Sequence, residues 1–267
     1  MLRQRVVTAS VLAAVALLGI FFLPTVAIAG VCALIGFAAG VEWAALTQQR
    51  LRGASRWIYG SFMAAGVLLF WRFSESNPLG VAAAALLWAV LLGWVGKLVI
   101  LTQPGRMSPH LALGVLALTP ALGLIPYLHG IPVYGTGLLL TVLLIVWVGD
   151  IGAYFGGRRF GKSLFAPEIS PGKTWAGVWS GLVLSVLVGW GSAYSLSIPV
   201  DRPWLLWVSL VVAAIGAILA DLFESILKRS TGKKDSGSLL PGHGGVLDRI
   251  DSMLGAVPLF AGLSLLF

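Results

Sequence analysis

The chain has 267 residues, of which 58% are hydrophobic and only 10% charged, with a formal net charge of +8. A water-soluble domain carries about a quarter charged residues, so this balance excludes an ordinary soluble fold and makes lipid the solvent for most of the chain. The single cysteine, Cys32, excludes an intrachain disulfide and a cysteine-built metal or redox site, and the basic residues lie in short segments between apolar runs, which fits membrane orientation rather than nucleic-acid binding.

Taken in chain order, Arg3 and Arg5 precede an apolar run from Val6 to Leu23, and Ala27-Ile28-Ala29 imitates a signal-cleavage site. The run is long enough to span and further runs follow at once, so it is expected to stay as a first helix. The next segments are Thr25 to Leu46, Trp57 to Phe70, Leu79 to Gly96, Leu111 to Leu128, Ile131 to Val148, Trp175 to Tyr194, Trp204 to Leu227 and Met253 to Phe267. None shows the two-residue alternation of barrel strands. The expected fold class is an all-α polytopic membrane protein with about nine transmembrane helices. The last segment is short and carries Pro258, so it is expected to tilt, half-span or pack among neighbours, and eight spans is the alternative count.

With a cytoplasmic N-terminus, every Lys and Arg except Arg72 and Arg202 falls on the inner side. Two long polar segments, 156–174 and 225–252, then face the cytoplasm. Asp150, Glu168, Asp221, Glu224, Asp235, Asp248 and Asp251 make up most of the ten acidic residues and all lie in the C-terminal half. Residues 1–130 therefore read as a transmembrane scaffold and 131–267 as a transmembrane catalytic region. Glu42, in the scaffold, sits near a helix end from which it can reach the interface.

Asp221, Glu224, Ser225 and Lys228 are spaced to share one face of the eighth helix, where charge at membrane depth implies a cavity or a partner. An intrahelical Glu224–Lys228 pair is the plainer alternative. Asp150, Ala153, Tyr154 and Gly157 share a face of the sixth helix in the same way. After it come Gly156-Gly157-Arg158-Arg159-Phe160-Gly161-Lys162 and Ser170-Pro171-Gly172-Lys173-Thr174. Glycines admit an anion to the backbone, and Lys and Thr at a helix start can donate to phosphate, although the spacing is not that of a Walker loop. A plain basic loop drawn to anionic headgroups is the alternative.

Most specific is Ser225-x-x-Lys228-Arg229, four residues, Lys234-Asp235-x-Gly237, then Leu240-Pro241-x-His243-Gly244-Gly245-x-x-Asp248-Arg249-x-Asp251. This pattern closely resembles the signature of the phosphatidate cytidylyltransferase (CDP-diacylglycerol synthase) family, and the resemblance extends to Asp150-x-x-Ala153-Tyr154 and Ser170-Pro171-x-Lys173-Thr174. It implies transfer of CMP from CTP to phosphatidic acid, giving CDP-diacylglycerol and pyrophosphate, at the cytoplasmic face of the inner membrane. It also implies membrane-lipid contact, magnesium with or without a second metal ion, and a homodimer.

Under that resemblance Asp221 and Asp248 are the leading magnesium ligands, since hard cations choose oxygen. Asp251 and Asp150 stand behind them, with an N-terminal cap as the plainer role of Asp251. Lys173, Lys228 and Arg249 join the two aspartates as catalytic candidates, with Arg229 and Lys234 as further phosphate contacts. Tyr154, Ser170, Thr174, Glu224, Ser225, Asp235, His243, Gly244 and Gly245 complete the substrate-binding expectation, while Lys233 reads as solvated. A phosphate monoester is already largely anionic at pH 7, so these carboxylates suit metal binding better than proton abstraction. The competing readings are a relative acting on an isoprenoid ether lipid and an ion-coupled transporter, which predicts acids at the membrane midplane.

Overall fold

The computed structural model describes residues 2–47, 53–100, 110–199, 201–237 and 244–267. Among them are nine helices, one for each apolar segment: α1 Leu2–Phe22, α2 Thr25–Leu46, α3 Ala54–Ser76, α4 Pro78–Ile100, α5 Leu111–His129, α6 Gly135–Phe160, α7 Trp175–Ser195, α8 Pro203–Ser230 and α9 Leu247–Ser264. Six of them, α2 and α4 to α8, are long and apolar enough to cross a membrane. An all-α membrane protein is the architecture these helices define. Their outward faces carry large exposed apolar side chains such as Phe22, Leu69, Leu86 and Trp179, as lipid-facing surfaces do.

The sequence expectation departs from the structure in the segment read as a loop over 156–174. Helix α6 runs on to Phe160, and the remainder folds into a small antiparallel hairpin of β1 (Leu164–Ala166) and β2 (Ser170–Thr174). Leu164 pairs with Thr174 and Ala166 with Ser170 across a register irregularity. Proline and glycine within Ser170–Thr174 hide the strand, because both residues are disfavoured there by propensity. Ala166 and Ile169 are buried, and the Phe165 and Trp175 rings meet edge-on at 4.7 Å, so the hairpin is seated on the helices.

Helices α6 and α7 run side by side along a seam of small residues. A methyl group at Gly152 would stand 3.1 Å from the Ser180 carbonyl oxygen, and one at Gly181 would stand 2.8 Å from that of Gly149. Ser185 Oγ crosses the seam and donates to the Ile145 carbonyl at 2.7 Å. Close backbone approach of this kind is how membrane helices associate when neither partner gains from leaving water. Gly216 and Gly255 bring α8 and α9 together in the same manner.

The N-terminal and C-terminal halves are locked by aromatic packing. Phe223 on α8 stacks on Trp43 of α2 at 6.2 Å and meets Trp88 of α4 edge-on at 5.7 Å, and all three are buried. These rings sit one residue from Glu42 on α2 and one residue from Glu224 on α8. Burial of large side chains beside charged ones therefore fixes the depth and rotation of both helices.

Candidate active site

The site gathers at one end of the bundle, where α6 and α8 finish and α7 and α9 begin. Thr174 starts α7 as its N-cap, its hydroxyl oxygen accepting from Gly177 N at 3.2 Å. That fixes Lys173, whose Nζ lies 2.6 Å from Asp221 Oδ2 on α8. Asp150 on α6 is within electrostatic reach of Asp221, Lys173 and Arg249, which brings four elements distant in sequence to one locus. Ser225 Oγ donates to Asp221 Oδ1 at 3.4 Å.

One helical turn further along α8, Lys228 bridges two acids. Its Nζ donates to Asp248 Oδ1 at 2.6 Å and lies 3.4 Å from Glu224 Oε1. The intrahelical Glu224–Lys228 pair thus exists, but the shorter bond goes across to α9. Asp248 Oδ2 also accepts from Gly245 N at 2.8 Å, Ser236 N at 3.0 Å and Ser236 Oγ at 2.9 Å. Burial alone raises the Asp248 pKa. The Lys228 ammonium and the two backbone N–H groups outweigh it, holding the carboxyl below the usual range.

Asp251, one turn along α9 from Asp248, does not cap the helix. It accepts from its neighbour Ser252 N at 2.7 Å and lies within electrostatic reach of Asp221, Asp150 and Glu224. A cavity of about 220 Å³ opens between α6, α7 and α8. Asp150, Tyr154, Lys173, Thr174 and Asp221 line its charged part, and Ile145, Val178, Ala214 and Ile218 its apolar part.

The remaining expected residues make the following contacts. Arg229 reaches back to the hairpin, its Nε donating to the Ile169 carbonyl at 3.4 Å and its Nη1 to the Lys233 carbonyl at 3.5 Å. Lys233 is exposed, yet its Nζ donates to the Ala45 carbonyl on α2 at 2.7 Å. The Tyr154 hydroxyl accepts from Arg158 at 3.0 Å. Ser170 is taken up in the hairpin ladder, and Lys234 and Asp235 are exposed on the approach to Ser236. His243 lies outside the described residues. Gly244 takes a positive φ of 84°, and a side chain there would run into Asp248, while one at Gly245 would run into Ser236 and Glu42. The room beside these two glycines is thus filled by the protein's own side chains.

Among the described residues no three His, Cys, Asp or Glu side chains form a ready-made metal cage. The donor chemistry nevertheless fits a hard divalent cation. Asp150, Asp221, Glu224 and Asp251 offer oxygen alone, and Glu224 is buried with its Oε1 3.4 Å from the Lys228 ammonium and neither oxygen in a hydrogen bond. Asp248 is placed less favourably, since both its oxygens already accept from protein donors.

Sequence reasoning missed Glu42 and Ser236. Glu42 is 7% exposed, and instead of reaching the interface it turns into the α9 start. The signal was present: an acid within an apolar helix is a functional hypothesis by default.

Helices spanning lipid, with a cluster of carboxylates and lysines where four of them end, define a multi-pass α-helical membrane protein with a built polar site. Compared with known families, the chain belongs to the cytidylyltransferase family, whose model matches residues 3–267. It is 38% identical to a phosphatidate cytidylyltransferase of Pseudomonas aeruginosa over 98% of this chain and 97% of the relative. It is 36% identical to one of Haemophilus influenzae over 98% of each, and 40% identical to one of Bacillus subtilis over 50% of this chain and 49% of the relative.

Proposed function

We propose that this chain is a phosphatidate cytidylyltransferase. A phosphate oxygen of phosphatidic acid attacks the α-phosphorus of CTP, a P–O bond forms to the cytidylyl group, the α–β bridge breaks, and pyrophosphate leaves with the electron pair. The observation that carries this reading, beside the likeness to whole-length relatives, is the Lys173–Asp221 pair on a cavity that is charged at one part and apolar at another. A phosphate headgroup with acyl chains needs that combination. Lys173 and Arg249 are suited to hold phosphate oxygens, and Tyr154 and Asp150 border the same space.

Asp221, with Asp251 and the buried carboxylate of Glu224, would hold a divalent magnesium ion, while Asp248, already filled by protein donors, would frame it. Bound there, the ion would offset the repulsion between two polyanions and the charge on the leaving group. The lysines supply fixed positive charge of the same sense, pre-positioned by their carboxylate partners. The basic last turns of α6 and α8 lie at the site end of the bundle, which supports a cytoplasmic site in the inner membrane, where CTP is available. The reading includes a homodimer, to be measured as particle mass in detergent.

The test is turnover by purified protein in detergent with CTP, phosphatidic acid and magnesium, following pyrophosphate and CDP-lipid together. Matched formation of both products, abolished by chelation and restored by magnesium, is the expected result. Pyrophosphate release without CDP-lipid would remove phosphatidic acid as the acceptor.

A further inference from the structure

Two acids precede residue 130. Glu75 pairs with Arg72 at 2.8 Å on an exposed helix end, whereas Glu42 is buried and spends its carboxylate on the C-terminal motif. Its Oε1 accepts from Val246 N and its Oε2 from Leu247 N, each at 2.9 Å. These are N–H groups of the α9 start, which a helix leaves without internal partners. Val246 at the N-cap has no side chain able to serve them. A carboxylate at this end also meets the positive pole of the helix, so Glu42 acts as a cap supplied from another helix.

The same carboxylate reaches the loop before α9. Ser236 Oγ lies 3.1 Å from Glu42 Oε2 and 2.9 Å from Asp248 Oδ2, and its one proton serves a single carboxylate at a time. The backbone N–H of Ser236 is directed to Asp248 as well. Glycine is required on both sides of this contact: a methyl group at Gly237 would stand 2.6 Å from Glu42 Oε1, and one at Gly245 would overlap Glu42 Oε2. With a backbone donor on each oxygen, Ser236 Oγ beside Oε2, and Gly237 and Gly245 packed against it, the Glu42 carboxylate is enclosed by protein. Its position is set by Trp43, buried against Phe223.

We infer that Glu42 is a positioning residue for cytidylyl transfer: from the N-terminal half it holds the first turn of α9 and the Ser236–Gly237 loop, and through them sets Asp248 against Lys228. The inference rests on the proposed reaction for its kinetic readout and on the geometry alone for its structural one. Glu42→Gln keeps the size of the side chain but replaces one acceptor by a donor facing an N–H group.

The experiment uses the full chain in detergent, comparing wild type with Glu42→Gln and with Gly237→Ala, which presses on the same carboxylate from the loop. Turnover per folded molecule, KM for CTP and amide hydrogen exchange at Val246 and Leu247 are measured. Misplacement of reacting groups by about 1 Å can cost on the order of 100-fold; kcat is expected to fall roughly 10- to 100-fold with KM for CTP shifting far less, and exchange at both amides to accelerate. Glu42→Asp, which keeps the charge, is expected to recover part of the lost kcat. Unchanged kcat per folded molecule would overturn the proposal even if the protein melts earlier, as would unchanged exchange at the two amides. If neither Glu42→Gln nor Gly237→Ala folds, the role is structural and the proposal fails. Wild-type protein that makes no CDP-lipid would sink the reaction assignment instead, and the exchange result would then decide alone whether Glu42 holds α9.

Discussion

The two shortest lysine–carboxylate pairs of the site are alike in length and unlike in surroundings. Lys173–Asp221 closes at 2.6 Å with side chains 24% and 29% exposed, fronting the cavity, and Asp221 has Ser225 as its further hydrogen-bond donor. Lys228–Asp248 also closes at 2.6 Å, but its side chains are 12% and 10% exposed, and Asp248 accepts from Ser236 and Gly245 besides. A half-buried pair fronting a cavity can exchange partners with an incoming phosphate or cation at less cost, because water partly screens it. A buried and saturated one resists such exchange, since removing either member strands the other charge. Under the proposed reaction labour is divided within one site: the Asp221 side would meet substrate, and the Asp248 side would hold the frame against which it is met.

That division can be broken most directly at the aspartates. Asp221→Asn is expected to lower turnover by about 10³-fold, the scale of losing a well-placed electrostatic group, while its melting temperature stays near that of wild type. Asp248→Asn is expected to lose turnover too, and in addition roughly 3 kcal/mol of stability, because Lys228 stays buried without its nearer partner. Equal melting of the two variants would erase the distinction. Lys173→Met is expected to reduce kcat/KM by about 100-fold with less change in unfolding than Asp248→Asn, as suits the more exposed pair under the proposed reaction. Smaller in effect, Gly181→Val widens the α6–α7 seam that aligns Asp150 with Lys173, at a cost of about 1–3 kcal/mol seen in thermal unfolding.

The least of the expected effects is a pH dependence. Asp248 has its pKa lowered in the folded protein, so more protons bind the unfolded chain at acid pH. Its contribution to stability is therefore complete above the unfolded carboxylate value of about 3.9 and is lost as pH falls through the lower folded value. Melting temperatures of wild type and Asp248→Asn should converge on acidification below that point; a constant gap down to strongly acid pH would contradict the assignment.

Much of this was legible beforehand. The second apolar segment, Thr25–Leu46, coincides with α2 residue for residue, and Asp221, Glu224 and Lys228 were marked by helical spacing at the end of an apolar run. Lys173, Asp248 and Asp251 followed from the motif. The hairpin was not legible, because a five-residue strand containing Pro171 and Gly172 is held by the seating of Ile169 and Phe165 rather than by propensity. Arg229 stands in the motif as a candidate phosphate contact, and only the tertiary structure shows that its Nε also ties α8 to the Ile169 carbonyl of the hairpin.

By itself the amino-acid sequence determined that the protein is helical, where its helices run and which polar residues stand out at their ends, because in lipid a backbone must satisfy its own hydrogen bonds within the segment. Beyond the intrahelical Glu224–Lys228 contact, which carboxylate faces which cation was decided by tertiary structure. Glu42 serves an N–H group 204 residues away, and no local periodicity encodes a bond of that span; it exists only because Trp43, Phe223 and the glycines of the motif leave one position in which that buried charge can be satisfied.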